Sequence, residues 1–155
     1  MPLNNPIHVQ QMAIGYCLPA CAQMALAQFG ITASQVELTR LLGTRPGVGT
    51  PFSQLERLSR FPISIQLAKH VQLDVLLVAR ATGKAVIAAI ITTSGLPGWG
   101  NLRTRHAVLL NDVNAERITY HDPALAYGPV YTDTSEFMLA WSEMDEQAAL
   151  LGTTT

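Results

Sequence analysis

The hydrophobic pattern of this chain changes character at Gly83, and that change bounds the fold more than any other feature. Before it, residues 18–29 (LPACAQMALAQF), 33–42, 51–60 and 74–82 read as helices, with one alternating segment, ISIQLA at 63–68, among them. After it, AVIAAIIT (85–92), HAVLLND (106–112) and RITYHDP (117–123) are short, β-like and bounded by turn residues, and VYT at 130–132 reads as a fourth strand. SEFMLAWSEMDEQAALL then reads as a closing helix with its N-cap at Thr134 or Ser135. Helices first and an antiparallel-type sheet second make an α+β fold, not the strict alternation of a doubly wound sheet.

Local punctuation supports these boundaries. Gly30, Gly43 and Gly83 close three of the helices. Thr32 starts a T-x-x-Q capping box with Gln35, and Thr50 followed by Pro51 makes an N-cap and first-turn pair. The 155 residues suit one domain, 1–155, around one core. Apolar residues make up 48% and charged residues only 14%, which excludes a disordered chain. A net charge of −1 with no run of like charges excludes a nucleic-acid footprint and a polybasic membrane patch. The N-terminal MPLNNPIHVQQ has no basic segment and no long apolar run, so it is not a signal peptide. The most apolar stretch, AVIAAII, is too short to span a bilayer. The expectation is a soluble, cytoplasmic protein.

Chemistry concentrates in QQMAIGYCLPACAQMAL, residues 10–26, which holds both cysteines. Two cysteines make no disulfide framework, and Cys-x3-Cys supplies only half of a zinc site. The four histidines, His8, His70, His106 and His121, show no close pairing along the chain. No metal and no cofactor is expected.

Pro19 fits the first turn of a helix, where backbone N–H groups lack partners in any case. It sets the helix start near Leu18 and leaves Cys17 at the N-terminal mouth. There the helix dipole and free N–H groups favour a thiolate, the nucleophilic form. Cys21 lies one turn further in and should pack as a small apolar side chain. Taken alone, the segment fits two buried core cysteines equally well.

A thiolate needs a base, and the base needs an orienting group. His106 opens the apolar strand HAVLL, and Asp122 ends the next strand sixteen residues later. His121 competes with Asp122, but successive strand side chains point to opposite faces, so only one can face His106. The plain alternative is a strand-end histidine and an Asp-Pro turn. Gln11, six residues before Cys17, has a side-chain N–H that suits an oxyanion, together with the Cys17 backbone N–H. Gln10 is its competitor.

Gln11, Cys17, Pro19-Ala20 and Met24 together resemble the opening of papain-clan cysteine peptidases. The nearest resemblance is to the bacteriocin-processing peptidases, which cut double-glycine leaders and often sit at the N-terminus of ABC exporters, and to their free-standing relatives. HAVLLNDVNAERITYHDPA resembles that family's His and Asp-Pro motifs as a unit. The resemblance covers about residues 8–145 and implies a papain-like fold, N-terminal helices packed on a C-terminal antiparallel sheet. It implies a Cys17-His106-Asp122 triad with Gln11 as oxyanion donor, a peptide or protein substrate and an exporter as partner. Relatives carry an acidic residue and a glycine around the cysteine, where this chain has Tyr16 and Leu18. Leu18 is therefore expected to narrow the cleft and alter substrate preference.

TSGLPGWGNLRTR precedes His106, and its Trp99, Arg103 and Arg105 are expected over the cleft, with Gly95, Gly98 and Gly100 as hinges. Alternatively Trp99 packs this loop on the core. Phe137 and Trp141, four apart on the last helix, read as core. Two other functions use the same residues: a thiol acyltransferase, and a non-catalytic binding or immunity-type module.

Overall fold

The computed structural model describes residues 3–154. Its elements are α1 (Cys17–Gln28), α2 (Gln35–Leu42), a 3-10 helix (Phe52–Arg60), β1 (Ile63–Ala68) and α3 (Leu73–Ala81). β2 (Ala85–Ile91), β3 (Arg105–Val113), β4 (Arg117–His121), β5 (Val130–Asp133), α4 (Thr134–Ser142) and β6 (Ala148–Thr153) follow. The strands form one six-stranded sheet in the order β1-β6-β2-β3-β4-β5, with every neighbouring pair antiparallel. The α+β expectation holds.

Helices cover both faces of the sheet. Leu18, Met24 and Leu26 of α1, Leu38 and Leu42 of α2, and Leu55 and Leu58 of the 3-10 helix pack on Ile87, Ala107, Leu109, Ala149 and Leu151. Leu76 of α3 and Phe137 and Trp141 of α4 pack on Val86, Ile90, Val108, Leu110, Tyr120 and Leu150 from the other side. This explains why β2 is an unbroken apolar run: its alternate side chains enter two different cores. Each such fully buried aliphatic or aromatic side chain stabilises the fold by about 1.5–3 kcal/mol.

Four local readings change. The helix expected through residue 151 stops at Ser142. The chain then turns through Asp145 and Glu146, both at positive φ, and residues 148–153 become β6. The Ala-Leu run has helical propensity, but β6 lies between β1 and β2 and is buried on both faces, so tertiary pairing wins. The residue before α4 is Asp133, one before the expected N-cap. The cap of α2 is Ser34, whose Oγ accepts from the Glu37 N–H at 3.0 Å, and not Thr32. Residues 52–60 wind as a 3-10 helix behind Pro51 in place of an α-helix.

Candidate active site

α1 begins at Cys17 with Tyr16 as its N-cap residue, and Pro19 sits in the first turn. The Cys17 N–H is one of the first four of the helix, which have no intrahelical acceptor. Cys17 is half-buried, whereas Cys21 is fully buried and donates its S–H to the Ala107 carbonyl at 3.5 Å. Burial pushes the Cys21 thiol well up, and the neighbouring Cys17 and Asp122 push it further. Cys21 is thus an inert core thiol.

His106 stands at the second position of β3, and Asp122 follows the last residue of β4. The register pairs Leu109 with His121. Extended by one step, it sets Asp122 opposite Val108 and makes His106 a diagonal neighbour on the same face. The side chains meet there: His106 Nε2 lies 2.6 Å from Asp122 Oδ1. His121 takes the opposite face, as strand alternation requires, and its Nδ1 lies 3.0 Å from His8 Nδ1. Two histidines that show no pairing along the sequence are therefore neighbours in space. Burial, with the His8 ring beside it, lowers the His121 pKa to about 4.

The Asp122 carboxylate has three donors. Oδ1 accepts from His106 and from the Ala124 backbone N–H at 2.9 Å, and Oδ2 accepts from the Trp99 indole N–H at 2.8 Å. Burial pushes its pKa up, but the hydrogen bond and charge of His106, then Trp99 and Ala124, outweigh this and hold it low. Asp122 is the ionised partner.

Burial likewise acts against a charged His106. The hydrogen bond to Asp122 and the proximity and charge of Cys17 prevail, and its pKa is raised to about 9. With Nε2 committed to Asp122, Nδ1 is the nitrogen left for the Cys17 sulfur. The ring thus lies between the Asp122 carboxylate and Cys17. Among the described residues, no group of three or more His, Cys, Asp or Glu side chains is gathered as a metal site.

Residues 3–149 match the Peptidase C39-like family. The chain belongs to this family of cysteine peptidases. No curated protein matches it. Among solved structures, a Bacillus anthracis protein described as a C39-like peptidase superposes with a TM-score of 0.77 at 16% identity, over 98% of this chain and 99% of that one. The peptidase domain of Streptococcus ComA, a bifunctional ABC transporter involved in quorum sensing, gives 0.77 at 16% identity, over 97% and 100%. A double glycine motif protease from an AMS/PCAT transporter, in complex with its leader peptide, gives 0.74 at 15% identity, over 99% and 95%. At such identity these likenesses establish the fold alone. No helix among the described residues is long and apolar enough to cross a membrane.

In this C39-like chain the remaining expected site residues divide. Gln11 lies in the lead-in before α1, with its backbone N–H on the Pro123 carbonyl at 2.7 Å, beside Asp122. One hydrogen of its side-chain amide goes to the Ala13 carbonyl at 2.9 Å, and its Oε1 is buried without a partner. Gln10 is exposed. Leu18 does not narrow the cleft: it is 2% exposed and packed in the core under α1. Phe137 and Trp141 are core, as expected.

Trp99 neither lies free over the cleft nor merely packs the loop. Its N–H holds Asp122, and its ring meets His106 edge-on, with centroids 4.7 Å apart. Hydrogen bonds fasten the loop that carries it on both sides. Thr92 Oγ donates to the Leu102 carbonyl and accepts from the Thr104 N–H, while Thr132 Oγ donates to the Gly95 carbonyl. Gly98 sits at φ +86°, a backbone conformation that favours glycine. Sequence reasoning missed the Trp99 contact. The available signal was that an indole N–H packed against a core needs an acceptor.

Proposed function

We propose that this chain hydrolyses a peptide bond through Cys17, His106 and Asp122, with Gln11 and the Cys17 backbone N–H holding the oxyanion. The reading rests above all on the 2.6 Å bond from His106 Nε2 to Asp122 Oδ1, which leaves the other ring nitrogen for Cys17. Cys17 Sγ attacks the carbonyl carbon, and the thiol proton resides on His106 Nδ1. As the C–N bond breaks, that proton passes to the departing amine, leaving a thioester on Cys17. Water then adds to the thioester, giving a proton to the same nitrogen, and the C–S bond breaks to release the acid and restore the thiol. Asp122 holds the imidazole in one tautomer throughout. Gln11 has a second amide hydrogen beyond the one given to Ala13, and this is the donor assigned to the oxyanion.

The substrate class we assign is a leader or propeptide, with an exporter as partner. The relative from an AMS/PCAT transporter is a double glycine motif protease in complex with a leader peptide. The first test is alkylation with iodoacetamide near neutral pH, with the labelled cysteine mapped by mass spectrometry. Cys17 should react at least tenfold faster than Cys21, about the ratio expected of an activated against a buried thiol. Equal rates, or faster labelling at Cys21, would remove the nucleophile from the scheme.

A further inference from the structure

Gln35 opens α2, directly after the Ser34 cap, and is 6% exposed. A buried glutamine at a helix start needs a reason, because burying an amide without partners is costly. Its sequence context suggests the reciprocal bond of a capping box, but the side chain is used elsewhere. Gln35 Oε1 accepts from the Met12 backbone N–H at 2.7 Å, and Gln35 Nε2 donates to the Gln10 carbonyl at 3.2 Å. These two groups flank Gln11 on either side. One carboxamide thus pairs with the lead-in as a strand would, and its Nε2 also reaches Gln23 Oε1 at 3.5 Å.

The backbone of Gln11 itself is held from the other direction, by its N–H on the Pro123 carbonyl at 2.7 Å. The lead-in is therefore fixed between α2 on one side and the segment next to Asp122 on the other. An oxyanion donor must be set in place before the reaction, since its value lies in costing no reorganisation. Gln11 lies in an irregular segment with no helix or strand to hold it. Gln35 supplies what the secondary structure does not.

We infer that Gln35 is a positioning residue for the oxyanion site: by clamping the backbone at residues 10 and 12 from α2 it aims the Gln11 side chain at the carbonyl attacked by Cys17. This deepens the proposed function and rests on it. Gln35 touches no reacting atom and acts only through Gln11.

The test separates chemistry that forms an oxyanion from chemistry that does not. Acylation of Cys17 by p-nitrophenyl acetate passes through a tetrahedral oxyanion, whereas alkylation by iodoacetamide does not. Gln35→Met keeps the length and volume of the side chain and removes both bonds. It should slow acylation about tenfold, the scale of a donor displaced but not deleted, and leave the alkylation rate unchanged. In a Gln11→Ala background the same substitution should add nothing, because the group it positions is gone. Amide exchange provides a readout free of any substrate: Met12 should exchange faster in Gln35→Met while the α1 amides stay protected.

Unchanged acylation in Gln35→Met, or the same loss with and without Gln11, overturns the inference alone. Equal slowing of acylation and alkylation overturns it too, since that marks general damage. A wild-type chain that is never acylated at Cys17 overturns the peptidase reading, and the positioning role with it.

Discussion

Trp99→Phe tests how far the carboxylate of the candidate site depends on the indole N–H that it accepts from. Asp122 Oδ2 has one donor, the indole N–H at 2.8 Å, while Oδ1 has two. Asp122 is 1% exposed, so water does not replace a lost donor. Phenylalanine keeps an aromatic ring beside His106 and removes only the N–H and part of the packing. The missing bond goes to a charged acceptor, and such bonds contribute about 1.5–3 kcal/mol. Unfolding free energy from urea titration should therefore fall by about 2 kcal/mol at neutral pH. The Trp99 bond also helps to hold the Asp122 pKa down, so that pKa should rise in the variant. A depressed carboxylate pKa contributes stability above its unfolded value, about 3.9, which is lost as pH falls through the folded value. The deficit of the variant should accordingly be present at pH 7 and should shrink once both proteins are protonated at acid pH. Acylation by p-nitrophenyl acetate should fall about tenfold, as a carboxylate free to turn orients His106 less well. If stability and acylation both match wild type, or if the deficit is the same at all pH, the indole is not what holds Asp122.

The raised pKa of His106 gives a second pH dependence with the opposite sign. Its contribution should be complete below about pH 6.5, the ordinary histidine value, and be lost as pH rises through about 9. Urea titrations at pH 6 and pH 10 should find this loss in wild type and not in His106→Gln. Gln11→Ala should slow acylation about a hundredfold with little effect on unfolding, while Gln10→Ala should do little to either; a damaging Gln10→Ala would reverse the assignment of the oxyanion donor. Leu151 of β6 is fully buried, so Leu151→Ala should cost about 2–5 kcal/mol in a urea titration, whereas an exposed terminal helix would tolerate it.

The parts of the site that sequence made visible sit where a local pattern meets a change of element. Cys17 is visible because Pro19 marks a helix start two residues on. His106 and Asp122 are visible because one opens an apolar strand and the other follows the end of the next, and strand alternation then separates Asp122 from His121. β6 is not, because a short all-apolar run buried on both faces carries no period to distinguish strand from helix. The cap of α2 was misplaced for another reason: the reading took T-x-x-Q at Thr32, whereas the overlapping S-x-x-E at Ser34 supplies the observed cap. Burial of the intervening Ala33, 4% exposed in the core under α1, accompanies the later start.

The supporting residues were hidden by a common cause. Trp99 reaches Asp122, and Gln35 reaches Met12, each across 23 positions of chain and between elements of different type. Periodicity and capping rules describe neighbours within one element, so they have no means of pairing a loop indole with a strand-end carboxylate. They assign Gln35 to the nearest local use, the cap, although its amide is spent on the lead-in. What a lone sequence does contain is the unmet requirement. In the proposed mechanism Gln11 must be held still to stabilise an oxyanion, yet its segment has no regular structure of its own. In this structure a side chain from a rigid element bonds to the backbone on both sides of it, and a carboxamide, with a donor and an acceptor, can do both at once. The requirement was derivable from residues 10–17; the identity of the residue that meets it needed the packing of α2.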